Sequence, residues 1–135
     1  MNGIDKKDIK EHEEAVDLLV KKFSKELNSG TSALVLLSIL NNSDKPLYGY
    51  QISKLLGHSN TDKQGVIYPV LRNMEAKGLL ESQVLPSESG PPRKYFTISI
   101  LGKKVLEEWL QIWQRTQLFV NQIITGKSNG NDEVK

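Results

Sequence analysis

From residue 63 to residue 77 the chain reads Lys-Gln-Gly-Val-Ile-Tyr-Pro-Val-Leu-Arg-Asn-Met-Glu-Ala-Lys. Lys63, Gln64, Tyr68, Arg72, Asn73 and Lys77 are interleaved with Val66, Ile67, Val70, Leu71 and Met74, so one side of a helix can face a core while the other meets solvent. Gln, Arg and Asn carry the donors and acceptors that match base edges in a major groove. Lys, Tyr and Arg also serve phosphates. The same residues would equally make an ordinary solvated helix face. A second cluster follows at Gly90-Pro91-Pro92-Arg93-Lys94. The glycine and two prolines stiffen the backbone, and two cations stand beside it, an arrangement suited to a sugar-phosphate chain. The alternative is a hairpin with solubilising charges. Tyr95 and Phe96 point to opposite faces of their strand, so at least one belongs to the core.

Other chemistries find little support. The sequence has no cysteine, which removes disulfides, thiolate nucleophiles and Cys-ligated metals. His12 and His58 stand apart without a ligand pattern, and Glu13-Glu14 reads as a solvated face. There is no nucleophile–base arrangement and no glycine-rich phosphate loop, so neither an enzyme nor a cofactor is expected. The 135 residues carry a net charge of +2 and a 38% hydrophobic content. That is enough for one domain with an added helical arm, and too weakly basic for total charge alone to indicate nucleic acid. The charged N-terminal stretch is not expected to act as a signal peptide, and the apolar run Ala33–Leu40 is too short for a membrane span. A cytoplasmic protein without a membrane partner is expected.

The elements that must position these residues follow from periodicity. Val16, Leu19, Val20, Phe23 and Leu27 predict a helix over 5–28, stopped by Asn28-Ser29-Gly30. Thr31 or Ser32 then caps a core helix reaching about Leu40. After a loop at Asn41–Pro46, a short helix is expected at Tyr48–Leu56 with Gly57 as its left-handed terminator. A polar loop at His58–Asp62 leads to the helix at Gln64–Lys77. Pro69 predicts that this helix starts late or bends near Tyr68, and Gly78 ends it. Leu79–Leu85 and Arg93–Ile98 read as strands around a stiff tip at 86–92. Ser99 caps a last helix to about Thr125. The order predicts a mainly α chain with a small β-hairpin. It comprises an N-terminal helical arm (1–30), a winged helix-turn-helix (31–98), a long helix (99–125) and a disordered tail (126–135).

In order and spacing, several segments resemble the PadR family of transcriptional regulators. They are Leu47-Tyr48-Gly49-Tyr50-Gln51-Ile52, Ile67-Tyr68-Pro69-Val70-Leu71-Arg72-Asn73-Met74-Glu75, Lys77-Gly78-Leu79-Leu80 and Gly90-Pro91-Pro92-Arg93-Lys94-Tyr95-Phe96, with Ser99 and Gly102. The resemblance spans about residues 31–113 and includes the Tyr-Pro pair inside the recognition helix. It implies a homodimeric repressor on a near-palindromic operator of double-stranded DNA. Tyr68, Arg72, Arg93 and Lys94 fall where the family's DNA contacts do. Ile100 and Leu101 replace a more polar pair, which predicts a more buried first turn of the last helix. The N-terminal helix exceeds the minimal family form.

The last helix carries Val105, Leu106, Trp109, Leu110, Ile112, Trp113, Phe119, Val120, Ile123 and Ile124, more apolar surface than one small domain covers, and a second copy would cover it. Trp109 and Trp113 are neighbours on one face. In multidrug-binding relatives, aromatics on this helix line an effector site. Here the pair either binds a small aromatic effector or packs the interface. A winged-helix module that binds another protein is the alternative to a DNA-binding repressor.

Overall fold

The computed structural model describes residues 5–57 and 62–127, with the backbone alone at 62–64. The first helix, α1, runs unbroken over Lys6–Asn41, so the expected stop at Asn28-Ser29-Gly30 is absent. A single glycine inside a helix costs only about 1 kcal/mol relative to alanine, and nothing crowds Gly30. The hydroxyls expected to cap a new helix turn back instead. Thr31 Oγ1 donates to the Leu27 carbonyl and Ser32 Oγ to that of Ser29, which keeps both residues within the helix. By its internal contacts the chain divides into two units, Met1–Ser32 and Ala33–Lys135.

The second unit contains the remaining elements. β1 (Leu47–Tyr48) precedes α2 (Gly49–Leu55) and α3 (Asp62–Ala76). β2 (Leu80–Ser87) and β3 (Gly90–Ile98) form a hairpin, and α4 (Ile100–Thr125) follows. β1 was not expected. It places Leu47 opposite Phe96 and Tyr48 opposite Tyr95, giving an antiparallel sheet in the order β1-β3-β2. Two residues are too few for any alternation to show in the sequence. The strands also run further into the tip than expected. Pro86, Pro91 and Pro92 lie within them, around a register irregularity between Leu85 and Ser87. Among the described residues no third strand pairs with the hairpin there, so a missing N–H forfeits little.

α3 begins at Asp62 and includes Pro69, so the late start predicted from the proline does not occur. The ring of Pro69 and its missing N–H both bear on the carbonyl four residues back, at Gly65. That residue has open space around it, and the backbone can adjust there at little steric cost. The helix ends in a Schellman arrangement. Gly78 has φ +82°, its N–H donates to Glu75, and the Leu79 N–H donates to Met74.

The core gathers Leu36, Leu37 and Leu40 of α1, Ile52 of α2, Ile67, Leu71 and Met74 of α3, Phe96 of β3 and Leu106 of α4. One joint ties the end of α3 to the start of α4. Ser99 accepts from the Gly102 N–H (2.9 Å) and donates to the Gly78 carbonyl (2.6 Å), while its own N–H donates to Leu79 (3.0 Å). A Cβ at residue 102 would collide with the Leu79 carbonyl and come within 2.8 Å of Ile98. Ser99, Gly102 and Leu106 therefore set the inward face of α4. Ile100 is left 88% exposed and Leu101 51% exposed, which overturns the expectation of a more buried first turn. The joint fixes which face turns inward, and residues 100 and 101 fall off that face.

The polar loop expected at His58–Asp62 falls, from 58 to 61, outside the described residues. So does the tail from 128 onward.

Candidate nucleic-acid interface

The burial of α3 follows its helical period. Ile67, Leu71 and Met74 are buried, whereas Gly65, Val66, Pro69, Arg72, Asn73, Ala76 and Lys77 are exposed. The exposed residues recur every three or four positions and make one continuous face. Arg72, Asn73 and Lys77 supply its polar chemistry, and between them lie small or short side chains that let a helix approach a flat surface closely. The side chains of Lys63 and Gln64 lie outside the described residues, while their backbone belongs to the first turn of α3. Tyr68 sits apart from this face. It is half-buried and lies across the start of α2, where a Cβ on Gly49 would come within 2.6 Å of its Cζ.

The two cations of the hairpin separate. Strand alternation sends Arg93 and Lys94 to opposite faces of the sheet. Arg93 lies over the Tyr48 ring, its guanidinium carbon 4.5 Å from the centroid. Tyr48 meets Tyr95 edge-on at 5.3 Å and Tyr50 in a stacked arrangement at 6.5 Å. Lys54 Nζ stands 5.3 Å from the centre of the Tyr50 ring, so a row of three tyrosines carries one cation at its middle ring and one at its Tyr50 end. Lys94 turns the other way, toward α3. Its Nζ lies 2.9 Å from Glu75 Oε1 and 5.4 Å from the centre of the Phe96 ring. Ser82 Oγ donates to the other oxygen of Glu75. The Ser82 and Lys94 hydrogen bonds together hold this carboxyl below the usual carboxylate range.

Tyr48, Tyr50, Lys54, Glu75 and Ser82 join the site without having been expected there. The cross-strand tyrosine pair requires β1, which leaves no pattern in the sequence. The Glu75 contacts cross from α3 to β2 and β3, and no spacing rule within one element reveals them.

On α4, Trp109 is half-buried against the core, whereas Trp113 is 37% exposed. They share one helix face yet meet different surroundings. Beyond them Leu118, Phe119, Val120, Ile123 and Ile124 are exposed. Among the described residues no His, Cys, Asp and Glu group is placed to hold a metal ion. No described helix is long and apolar enough to cross a membrane.

An exposed polar helix face beside a β-hairpin is how winged helix-turn-helix proteins meet DNA, and comparison with known proteins agrees. The model of the transcriptional regulator PadR-like family matches residues 36–108. A PadR family transcriptional regulator from Eggerthella lenta superposes with a TM-score of 0.70 at 32% identity, over 82% of this chain and 96% of that one. A PadR-like regulator from Bacillus cereus gives 0.62 at 32% identity, over 76% and 99%. An uncharacterised protein of Lysinibacillus sphaericus is 28% identical over 87 residues, 62% of this chain and 80% of that protein. The family's members are regulators of transcription rather than enzymes, and on these grounds the chain belongs to the PadR-like family of DNA-binding transcriptional regulators.

Proposed function

We propose that the protein is a homodimeric, sequence-specific repressor of transcription. The observation that carries this reading is the exposed face of α3, where Arg72, Asn73 and Lys77 stand together beside the hairpin. In this reading the unit 31–98 binds DNA. Its recognition helix enters a major groove, with Arg72 and Asn73 at base edges. Lys63, Gln64 and Lys77 serve bases or phosphates along the same groove, Tyr68 braces the helix against α2, and Arg93 follows the backbone at the wing. The helix 99–125 joins two copies, which brings two recognition helices to successive major grooves about one helical turn apart. Residues 1–30 form an N-terminal helical arm.

Repression is relieved by a small aromatic compound held beside Trp109 and Trp113. The rigid Ser99–Gly78 joint supports this, because it links α4 directly to the end of the recognition helix. A change in the crossing of two α4 helices would move the two α3 helices together. The compound must favour the conformation that does not fit the operator, since equal affinity for both shifts nothing.

An electrophoretic shift with the DNA upstream of the chain's own gene tests the reading. A complex is expected that weakens steeply as salt rises, because phosphate contacts release counterions. Val66 and Pro69, exposed on the same α3 face, favour a second reading, a module that binds another protein. Such an apolar contact would show little salt dependence.

A further inference from the structure

We propose that Lys94 is a positioning residue in operator recognition, locking the wing to the last turn of the recognition helix through Glu75 rather than contacting a phosphate. The inference rests on the DNA-binding reading above and narrows it. Three elements meet at the Glu75 carboxylate. One oxygen accepts from Ser82 on β2 and the other from Lys94 on β3, while Glu75 itself belongs to α3. The register explains why the two donors converge. Ser82 pairs with Phe96 and Val84 with Lys94, so Ser82 and Lys94 are diagonal neighbours on the sheet face that packs against α3. The lysine ammonium stands near the Phe96 ring, and Phe96 is wholly buried in the core. The Lys94 ammonium is thus placed between the Glu75 carboxylate and the Phe96 ring.

The alternative role is costly. To reach a phosphate, the ammonium would have to leave a carboxylate that it neutralises. Glu75 would then stand as a bare negative charge on the helix that faces DNA. Held in place, Lys94 removes that repulsion and sets the angle between wing and helix. That angle bears on specificity, since α3 and Arg93 must fit one duplex at the same time.

The two roles predict opposite results for Glu75. If Lys94 contacts a phosphate, Glu75 competes for it, and Glu75→Gln frees it. If Lys94 positions the wing, Glu75→Gln breaks the lock just as Lys94→Met does. The full-length chain would be measured on two duplexes, the one it selects from a random pool and a scrambled control, across a salt series. The ratio of the two affinities cancels the general effect of changing net charge. For Glu75→Gln and for Lys94→Met the ratio is expected to fall about three- to fivefold, the scale of a partly exposed ion pair. The double variant should be no worse than the poorer single one, Lys94→Arg should keep the ratio, and the salt slope should not change. A ratio that Glu75→Gln leaves unchanged or raises overturns the proposal. So does a Lys94→Met variant that loses equally on both duplexes and lowers the salt slope by about one ion. A wild-type chain with no salt-dependent affinity for any duplex overturns the DNA-binding reading itself, and this inference with it. That failure is distinguishable because it appears before any substitution is made.

Discussion

The outer faces of α3 and α4 are both exposed, and they are chemically opposite. Arg72, Asn73, Ala76 and Lys77 give α3 a short polar face with gaps between its side chains. The end of α4 presents Leu118, Phe119, Val120, Ile123 and Ile124, with no charged residue from 116 to 125. Water satisfies the first face and not the second. A polar helix face can wait in solvent for an anionic partner at little cost. An apolar stripe of this length is costly to leave wet, at roughly 25 cal/mol for each Å². The contrast supports the two partners of the proposed function. α3 suits a reversible one such as DNA, and α4 suits a standing one such as a second copy of the chain. Trp109, Trp113, Thr116, Val120 and Ile123 recur at alternating steps of four and three, the spacing of a helix-packing seam.

The largest effect should come from making α4 resemble α3. Val120→Glu combined with Ile123→Glu places two charges in the proposed seam, and an unpaired buried charge is destabilising by about 3–5 kcal/mol. Sedimentation at micromolar concentration should show a dimer for the wild type and a monomer for the variant. A variant that remains dimeric would mean that α4 is not the contact. A wild type that is already monomeric would remove the assignment of partners altogether.

On the polar side, Arg72→Ala should weaken binding to the selected duplex by about 1–3 kcal/mol more than to a scrambled one, if the guanidinium reads a base. Titration of both duplexes at one salt concentration checks this. Equal losses would reduce Arg72 to a phosphate contact and make the α3 face merely basic.

The two helices also differ in how far the sequence revealed them. The face of α3, its glycine terminator and the Ser99 cap were legible, because each depends on neighbours within a turn or two. Gly78 takes the left-handed conformation that a Schellman end requires, and Ser99 bonds the N–H three residues on. What turned on a choice between two local bonds, or on partners in other elements, was not legible. The run Asn28-Ser29-Gly30 carries every local sign of a helix end, yet α1 continues, because Thr31 and Ser32 bond backward rather than forward. Arg93 and Lys94 looked like one basic patch. The strand sends them to opposite sides, one to a tyrosine and one to Glu75. The apolar Ile100 and Leu101 suggested a more buried first turn, and Gly102, by admitting the Leu79 carbonyl, turned them outward.

Trp109 and Trp113 lie where α4 leaves the core, one packed against it and the other 37% exposed. If they hold an effector, a planar aromatic compound should quench their fluorescence. Trp113→Leu should then weaken its binding by about 0.5–1.5 kcal/mol, the stacking contribution beyond plain burial. Trp109→Leu should also lower thermal stability, because its ring packs on the core. If both variants keep dimerisation, DNA binding and an unchanged ligand response, the tryptophans are packing residues only.

The smallest effect sharpens the comparison with pH. The wing is joined to α3 partly by charge, whereas the proposed α4 seam is apolar, so acid should act on one and spare the other. Hydrogen bonds from Ser82 and Lys94 lower the pKa of Glu75 below its usual value of 4.5. A carboxyl depressed by folding binds its proton less readily in the native chain than in the unfolded one. Its contribution to stability is therefore fully present above 4.5 and disappears as pH falls through the lowered value. The gain is small, because both partners are about one-third exposed and solvent screens the pair. Other carboxylates titrate in the same range, so the difference between wild type and Glu75→Gln isolates this one. Denaturant midpoints should favour the wild type at neutral pH, and the advantage should shrink below pH 4.5 until the two curves meet. Sedimentation of the same pair should show equal dimerisation at each pH. A constant gap between the denaturation curves would mean that the Glu75 charge does not stabilise the joint. Dimerisation that differed between wild type and variant would mean that the two surfaces are not independent.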